Sequence, residues 1–143
     1  MGLTSWIRGG VALASALTMG AALAQAQWPE RPVRVVVPFP ASGATDLIAR
    51  VVTQRVAQDL GQQLVVDNKP GAGGTIGSAE VAKAAPDGYT VLFTTSSTHA
   101  ISPHLMPRLS YDAAKDFTPV AHVADAPSVL LVTPSLPVKT VAE

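Results

Sequence analysis

The 143-residue chain contains no cysteine. Disulfides and thiolate metal sites are thereby excluded, so stability has to come from a packed core. Charged residues are scarce at 14%, ten basic against ten acidic, with no basic patch or arginine-rich helix among them. Nucleic acid and anionic membrane surfaces are therefore poor partners on charge alone. Histidine is equally sparse. His99, His104 and His122 share no helical metal spacing, so neither a metal nor a cofactor is expected. The chain also lacks a Gly-x-Ser-x-Gly elbow, and Ser42, Ser96 and Ser97 have no assignable base. The glycine-rich segment 71–77 has Ile76 where a dinucleotide fingerprint needs glycine, and it lacks the Lys-Ser/Thr ending of a nucleotide P-loop.

What is present begins with a targeting pattern. Residues 1–8 carry one positive charge, residues 9–23 are small and apolar, and Ala24-Gln25-Ala26 fits a small-residue cleavage site. The apolar part is shorter than the ~20 residues of a membrane span. Residues 1–26 read as a cleaved secretory signal, with a retained anchor as the alternative. Cleavage before Gln27 removes Arg8 and leaves nine basic residues against ten acidic ones, a net charge of −1. An exported chain without disulfides points to a bacterial periplasm, with no membrane insertion after cleavage.

The rest is organised around residues 33–60. Val33-Arg34-Val35-Val36-Val37-Pro38 is a β-branched apolar run closed by proline, the pattern of a strand buried on both faces in a parallel sheet. A small-residue turn follows, with Ser42, Thr45 and Asp46 as candidate helix caps. Leu47, Ile48, Val51, Val52, Val56 and Leu60 then fall at spacings of three and four, one apolar helix face, and Gly61 is the expected stop. Residues 63–67 read as a second strand, 68–74 as a turn and 75–85 as a helix whose small-residue face carries Ile76 and Ala79. Residues 89–94 read as a third strand, and 101–106 as a short helical piece limited by Pro103 and Pro107. Val120 to Val123 is a further strand candidate; residues 128–133, with Val129-Leu130-Leu131-Val132, form a stronger one. Strand and helix in alternation predict an open α/β sheet.

Three loops follow the first three strands, and in a parallel sheet those ends share the edge where ligands usually sit. Residues 39–46, 68–74 and 95–99 are rich in Gly, Ser, Thr and Ala and nearly free of bulky charge. Helix-opening N–H groups have no internal partner, and the macrodipole adds positive charge there. The candidate binding residues are Phe39, Ser42, Gly43, Ala44, Thr45, Asp46, Ala72, Gly73, Gly74, Ser96, Ser97, Thr98 and His99, and the favoured ligand is a small anion. Alternatives stand beside several of these. Asp46 is a helix cap or a ligand contact, Phe39 a stacking surface or a core plug, and His99 a hydrogen-bonding or a solvent-facing residue. Gly71 and Gly73 permit a tight turn whether or not anything binds there.

The blocks Pro38-Phe39-Pro40-Ala41-Ser42-Gly43-Ala44-Thr45-Asp46, Asp67-Asn68-Lys69-Pro70-Gly71-Ala72-Gly73-Gly74 and Ala85-Pro86-Asp87-Gly88-Tyr89-Thr90 closely resemble the substrate-binding receptors of tripartite tricarboxylate transporters, often called Bug receptors. Tyr111-Asp112, residues 116–120 and residues 134–140 look like that family too. The resemblance implies a periplasmic, two-domain α/β receptor of the Venus-flytrap kind. It also implies a non-enzymatic role, in which a di- or tricarboxylate or an acidic amino acid is gripped through backbone amides and handed to the membrane transporter subunits. On that pattern, residues 27–127 are the N-terminal part of the first domain, and residues 128–143 are the crossing strand and start of a second domain that the chain does not complete. The family commonly has two adjacent glycines in its first loop, where this chain has Ser42-Gly43. An exported α/β enzyme acting on a carboxylate, or a receptor sensed by a signalling partner, are the competing expectations.

Overall fold

A computed structural model describes residues 28–127 and 129–143. The expected signal segment and Ser128 lie outside the described residues. Three parallel strands, β1 (Val33–Val37), β2 (Leu64–Asn68) and β3 (Thr90–Leu92), form a sheet in the order β2-β1-β3. Val35 of β1 faces Val66 on one side and Val91 on the other. The central position explains the composition of β1. Val33 and Val35 are 2% exposed, Val36 and Val37 fully buried, and Pro38 closes the run. Each such valine contributes about 1.5 kcal/mol or more through lost contact with water.

Helix α1 (Ala44–Leu60) joins β1 to β2 and ends where Gly61 takes the left-handed conformation at φ 66°. Its buried face differs from the apolar stripe expected. Ala49 and Thr53 lie innermost, Ile48, Val52 and Val56 are half-buried, and Leu47 and Val51 are 56% and 70% exposed. Small residues sit where a helix approaches a sheet most closely, and the larger ones splay to either side. Helix α2 (Thr75–Ala82) stops three residues earlier than expected and buries Gly77, Ser78 and Ala79, while Ile76 points outward. A Cβ on Gly77 would stand 2.8 Å from Pro38 Cβ and 2.9 Å from the Lys69 carbonyl oxygen, so glycine sets how close α2 comes to the sheet. Arg34 ties the layers together, donating to Asp67 of β2 and to Glu80 of α2.

Past β3 the chain departs further from expectation. Residues Ser97–Ile101 form one wide π turn that runs into the short helix α3 (Ser102–Leu105), so part of the expected loop is helical. Residues 120–123 and 129–133 form no strand. The side chains of Val129, Leu130, Leu131 and Val132 are 50–83% exposed. An apolar run becomes a strand only against another strand's free N–H and C=O groups, and none of the described strands pairs with these residues.

Candidate functional site

All three strands run the same way, so the loops after Val37, Asn68 and Leu92 emerge at one edge of the sheet. Their approach is close enough to measure at Gly74. A Cβ there would lie 2.8 Å from Thr98 Cγ2 and 3.2–3.3 Å from the Phe39 ring. Three loops thus meet around a glycine, whose φ of 92° is itself poorly suited to any other residue. Phe39, Gly74 and Thr98 are brought together as expected of a single site.

The first loop is held by a polar cluster beneath it. Asp46 is 2% exposed. Its Oδ2 accepts from the Ser42 amide at 2.8 Å and from Arg50 Nε at 3.0 Å, and its Oδ1 accepts from Asn68 Nδ2 at 3.0 Å. Asn68 Nδ2 also donates to the Phe39 carbonyl at 3.1 Å, and Arg50 donates to Asn68 Oδ1 at 3.2 Å. The Arg50 bond first, then those from Ser42 and Asn68, hold the Asp46 carboxyl at about 2, below its ordinary 3.8. The helix itself starts at Gly43, which makes no side-chain cap. Ser42 and Thr45 are therefore not caps, and Asp46 reaches back over the first turn in their place. Ser42 takes a φ of 67°, and Gly43 an ordinary −74°. The left-handed position in this loop is the serine.

The second loop is a backbone turn tied to α2 by two hydroxyls, Thr75 Oγ1 donating to the Ala72 carbonyl at 2.9 Å and Ser78 Oγ to the Gly74 carbonyl at 3.0 Å. Gly71, Ala72, Gly73 and Gly74 all have positive φ, closed by the Gly74 amide on the Gly71 carbonyl at 2.9 Å. The third loop is a nest of hydroxyls. The buried Thr98 Oγ1 lies 2.9 Å from Thr94 Oγ1, 2.8 Å from His99 Nδ1 and 3.2 Å from the Thr95 carbonyl oxygen. Tyr111 donates to the Thr98 carbonyl at 2.7 Å, and Phe117 packs edge-on against the His99 ring at 4.6 Å. Burial among these rings lowers the His99 pKa. His99 is neither fully solvent-facing nor buried, with one ring nitrogen committed inward.

Several backbone donors on this rim have no partner among the described residues. They are the amides of Ala44 and Thr45 at the start of α1, Ala72 and Gly73 in the second loop, and Ser96 and Ser97 in the third. Residues 39–46 and 95–99 hold no lysine or arginine, and residues 68–74 hold one, Lys69, whose Nζ lies 3.7 Å from Asp67 Oδ2. The arrangement offers oriented N–H groups and hydroxyls, with the one loop cation, Lys69, set beside Asp67. Two open grooves of about 360 and 390 Å³ lie elsewhere, on the β1–β2 flank and between α1 and β2. Among the described residues no group of three or more metal-ligating side chains occurs.

Asn68, Arg50, Tyr111 and Phe117 were not singled out from the sequence. Asp46 and Arg50 stand four apart on a helix, a spacing that signals contact. Asn68 ends a strand beside Pro70, where it reads as an ordinary turn residue.

Residues 48–143 match the TctC family, described as the tripartite tricarboxylate transporter family receptor. The chain is 46% identical to Protein BugT of Bordetella pertussis over 110 residues, 76% of this chain and 34% of that protein. Among solved structures it resembles MatC of Rhodopseudomonas palustris with bound malate, at 47% identity and a TM-score of 0.65 over 67% of this chain and 33% of that one. It also resembles a second R. palustris protein, solved with adipate, at 44% identity and a TM-score of 0.73 over 80% of this chain and 38% of the other. The chain spans a little over a third of the length of the curated relatives it matches.

Proposed function

Because this chain belongs to the tripartite tricarboxylate transporter receptor family, we propose that it forms the first wall of a periplasmic receptor for a small di- or tricarboxylate. One observation carries the ligand class. Unpartnered amides from three loops lie on one rim whose loops hold a single cation, Lys69, already beside Asp67, so a carboxylate is held by peptide dipoles and two helix openings. Malate and adipate, present in the two structural neighbours, are ligands of that chemistry. A site of this kind binds reversibly without reacting: the hydroxyl that stands beside an imidazole, Thr98 Oγ1, is fully buried and engaged with Thr94, so it is not presented to a ligand. On this reading residues 27–127 belong to the first domain, residues 128–143 lead into the second, and closure of the two domains completes the grip before delivery to the membrane transporter.

The test is calorimetric titration of the full-length receptor with malate, adipate, citrate and aspartate, alongside the monoamide of each. At least one dicarboxylate or tricarboxylate binds at micromolar concentration or tighter, and its monoamide binds more weakly. Equal binding of acid and amide, or binding of none of the acids, contradicts the proposal.

A further inference from the structure

The polar cluster under the first loop has more partners than a helix opening requires. Asn68 is the last residue of β2 and pairs in register with Val37, the last residue of β1. Its side chain therefore stands at the sheet edge where the first loop departs. From there one amide nitrogen reaches both the Phe39 carbonyl, at the loop's start, and Asp46. Asp46 in turn takes the Ser42 amide, near the loop's end.

Between those anchors the loop carries Pro40 and a serine at φ 67°. The left-handed conformation costs a non-glycine residue about 1–2 kcal/mol. The bond from the Ser42 amide to a buried carboxylate is the interaction in place to offset that cost. Ala44 and Thr45 follow within three residues, so the direction of their free amides is set by the conformation of Ser42. With 2% exposure and both oxygens engaged, the Asp46 carboxylate has no face to offer a ligand.

We propose that Asp46 and Asn68 are a positioning pair: they clamp the two ends of the 39–43 loop and so aim the α1 amides at the bound carboxylate without touching it. The proposal rests on the carboxylate reading of the rim, and Arg50 supports it by neutralising Asp46 and donating to Asn68.

The test uses the full-length receptor, Asn68→Asp, and the exchange Asp46→Asn/Asn68→Asp. Asn68→Asp loses the donor to both the Phe39 carbonyl and Asp46. The exchange rebuilds a donor–acceptor pair but still leaves the Phe39 carbonyl without its amide. Amide hydrogen exchange across residues 39–45, thermal unfolding, and calorimetry with malate, adipate and citrate are read on all three proteins. In Asn68→Asp, exchange in that segment accelerates above the rest of the sheet, and affinity for the probes that wild type binds falls about tenfold or more. In the exchange variant the melting temperature recovers and the affinity does not. Wild-type affinity in Asn68→Asp overturns the proposal, as does joint recovery of stability and affinity in the exchange, which marks the pair as only structural. If wild type binds no probe while residues 39–45 still loosen selectively in Asn68→Asp, the clamp stands and the carboxylate reading falls. If they do not loosen, the clamp falls as well.

Discussion

The first and second loops of the rim solve one problem by opposite means. Residues 39–43 keep their shape through side chains: a buried aspartate, an asparagine and an arginine, bonded to each other and to the loop backbone. Residues 71–74 bring almost no side chains of their own: four consecutive positive φ values, three of them at glycine, are closed by a backbone turn and by the Thr75 and Ser78 hydroxyls of α2 on the Ala72 and Gly74 carbonyls. Both leave amides free on the same edge. A loop held by side chains is breakable by chemistry, through charge or the loss of one donor. A loop built on glycine is breakable by adding a Cβ, through volume or through backbone strain.

The largest effect is expected at Gly74, where all three loops meet. Gly74→Ala places a methyl group 2.8 Å from Thr98 Cγ2 in a backbone conformation that disfavours it. Strain and overpacking together amount to about 3 kcal/mol of lost stability in urea unfolding. A loss under about 1 kcal/mol would show that the rim relaxes and the loops are not tightly joined.

Charge comes next. The bonded Asp46 carboxyl titrates at about 2 in the folded protein, against 3.8 unperturbed. Its folded-state pKa is lowered, so its contribution is complete above about pH 4 and is lost as the pH falls toward 2. The Ser42 amide resonance should follow that low midpoint, and the Gly73 amide should not follow it. A Ser42 midpoint near 4 would mean a free carboxylate and no clamp.

The smallest effect sharpens the contrast. Ser42→Gly removes the left-handed penalty in the first loop and makes it resemble the second, raising stability by about 1 kcal/mol or less. Gly73→Ser makes the opposite change at φ 64°, with open space around its Cβ, and lowers stability by a similar amount. Equal signs for the two would refute the assignment of which loop is held by what.

The elements legible in the sequence were those whose cause is local. A β-branched run closed by Pro38 has few alternatives to a buried strand, and Gly61 after an apolar periodicity has few alternatives to a helix stop. What escaped depended on neighbours. Periodicity located α1 but not the centre of its buried face, because Ala49 and Thr53 are chosen by closeness to the sheet and not by hydrophobicity. Val129-Leu130-Leu131-Val132 has strand composition, yet no described strand edge pairs with it. The convergence of the three loops was readable from strand–loop alternation. The brace beneath them was not, since Asn68 meets Phe39 and Asp46 only after β2 has paired with β1.

The central claim is that peptide N–H groups on this rim hold a carboxylate. It is tested most directly by a crystal structure of the full-length receptor with malate or adipate. Carboxylate oxygens are expected within about 3.2 Å of the Ala44 or Thr45 amide and of an amide in residues 72–73 or 96–97, directly or through one water. A carboxylate seated on a lysine or arginine away from these loops would contradict it.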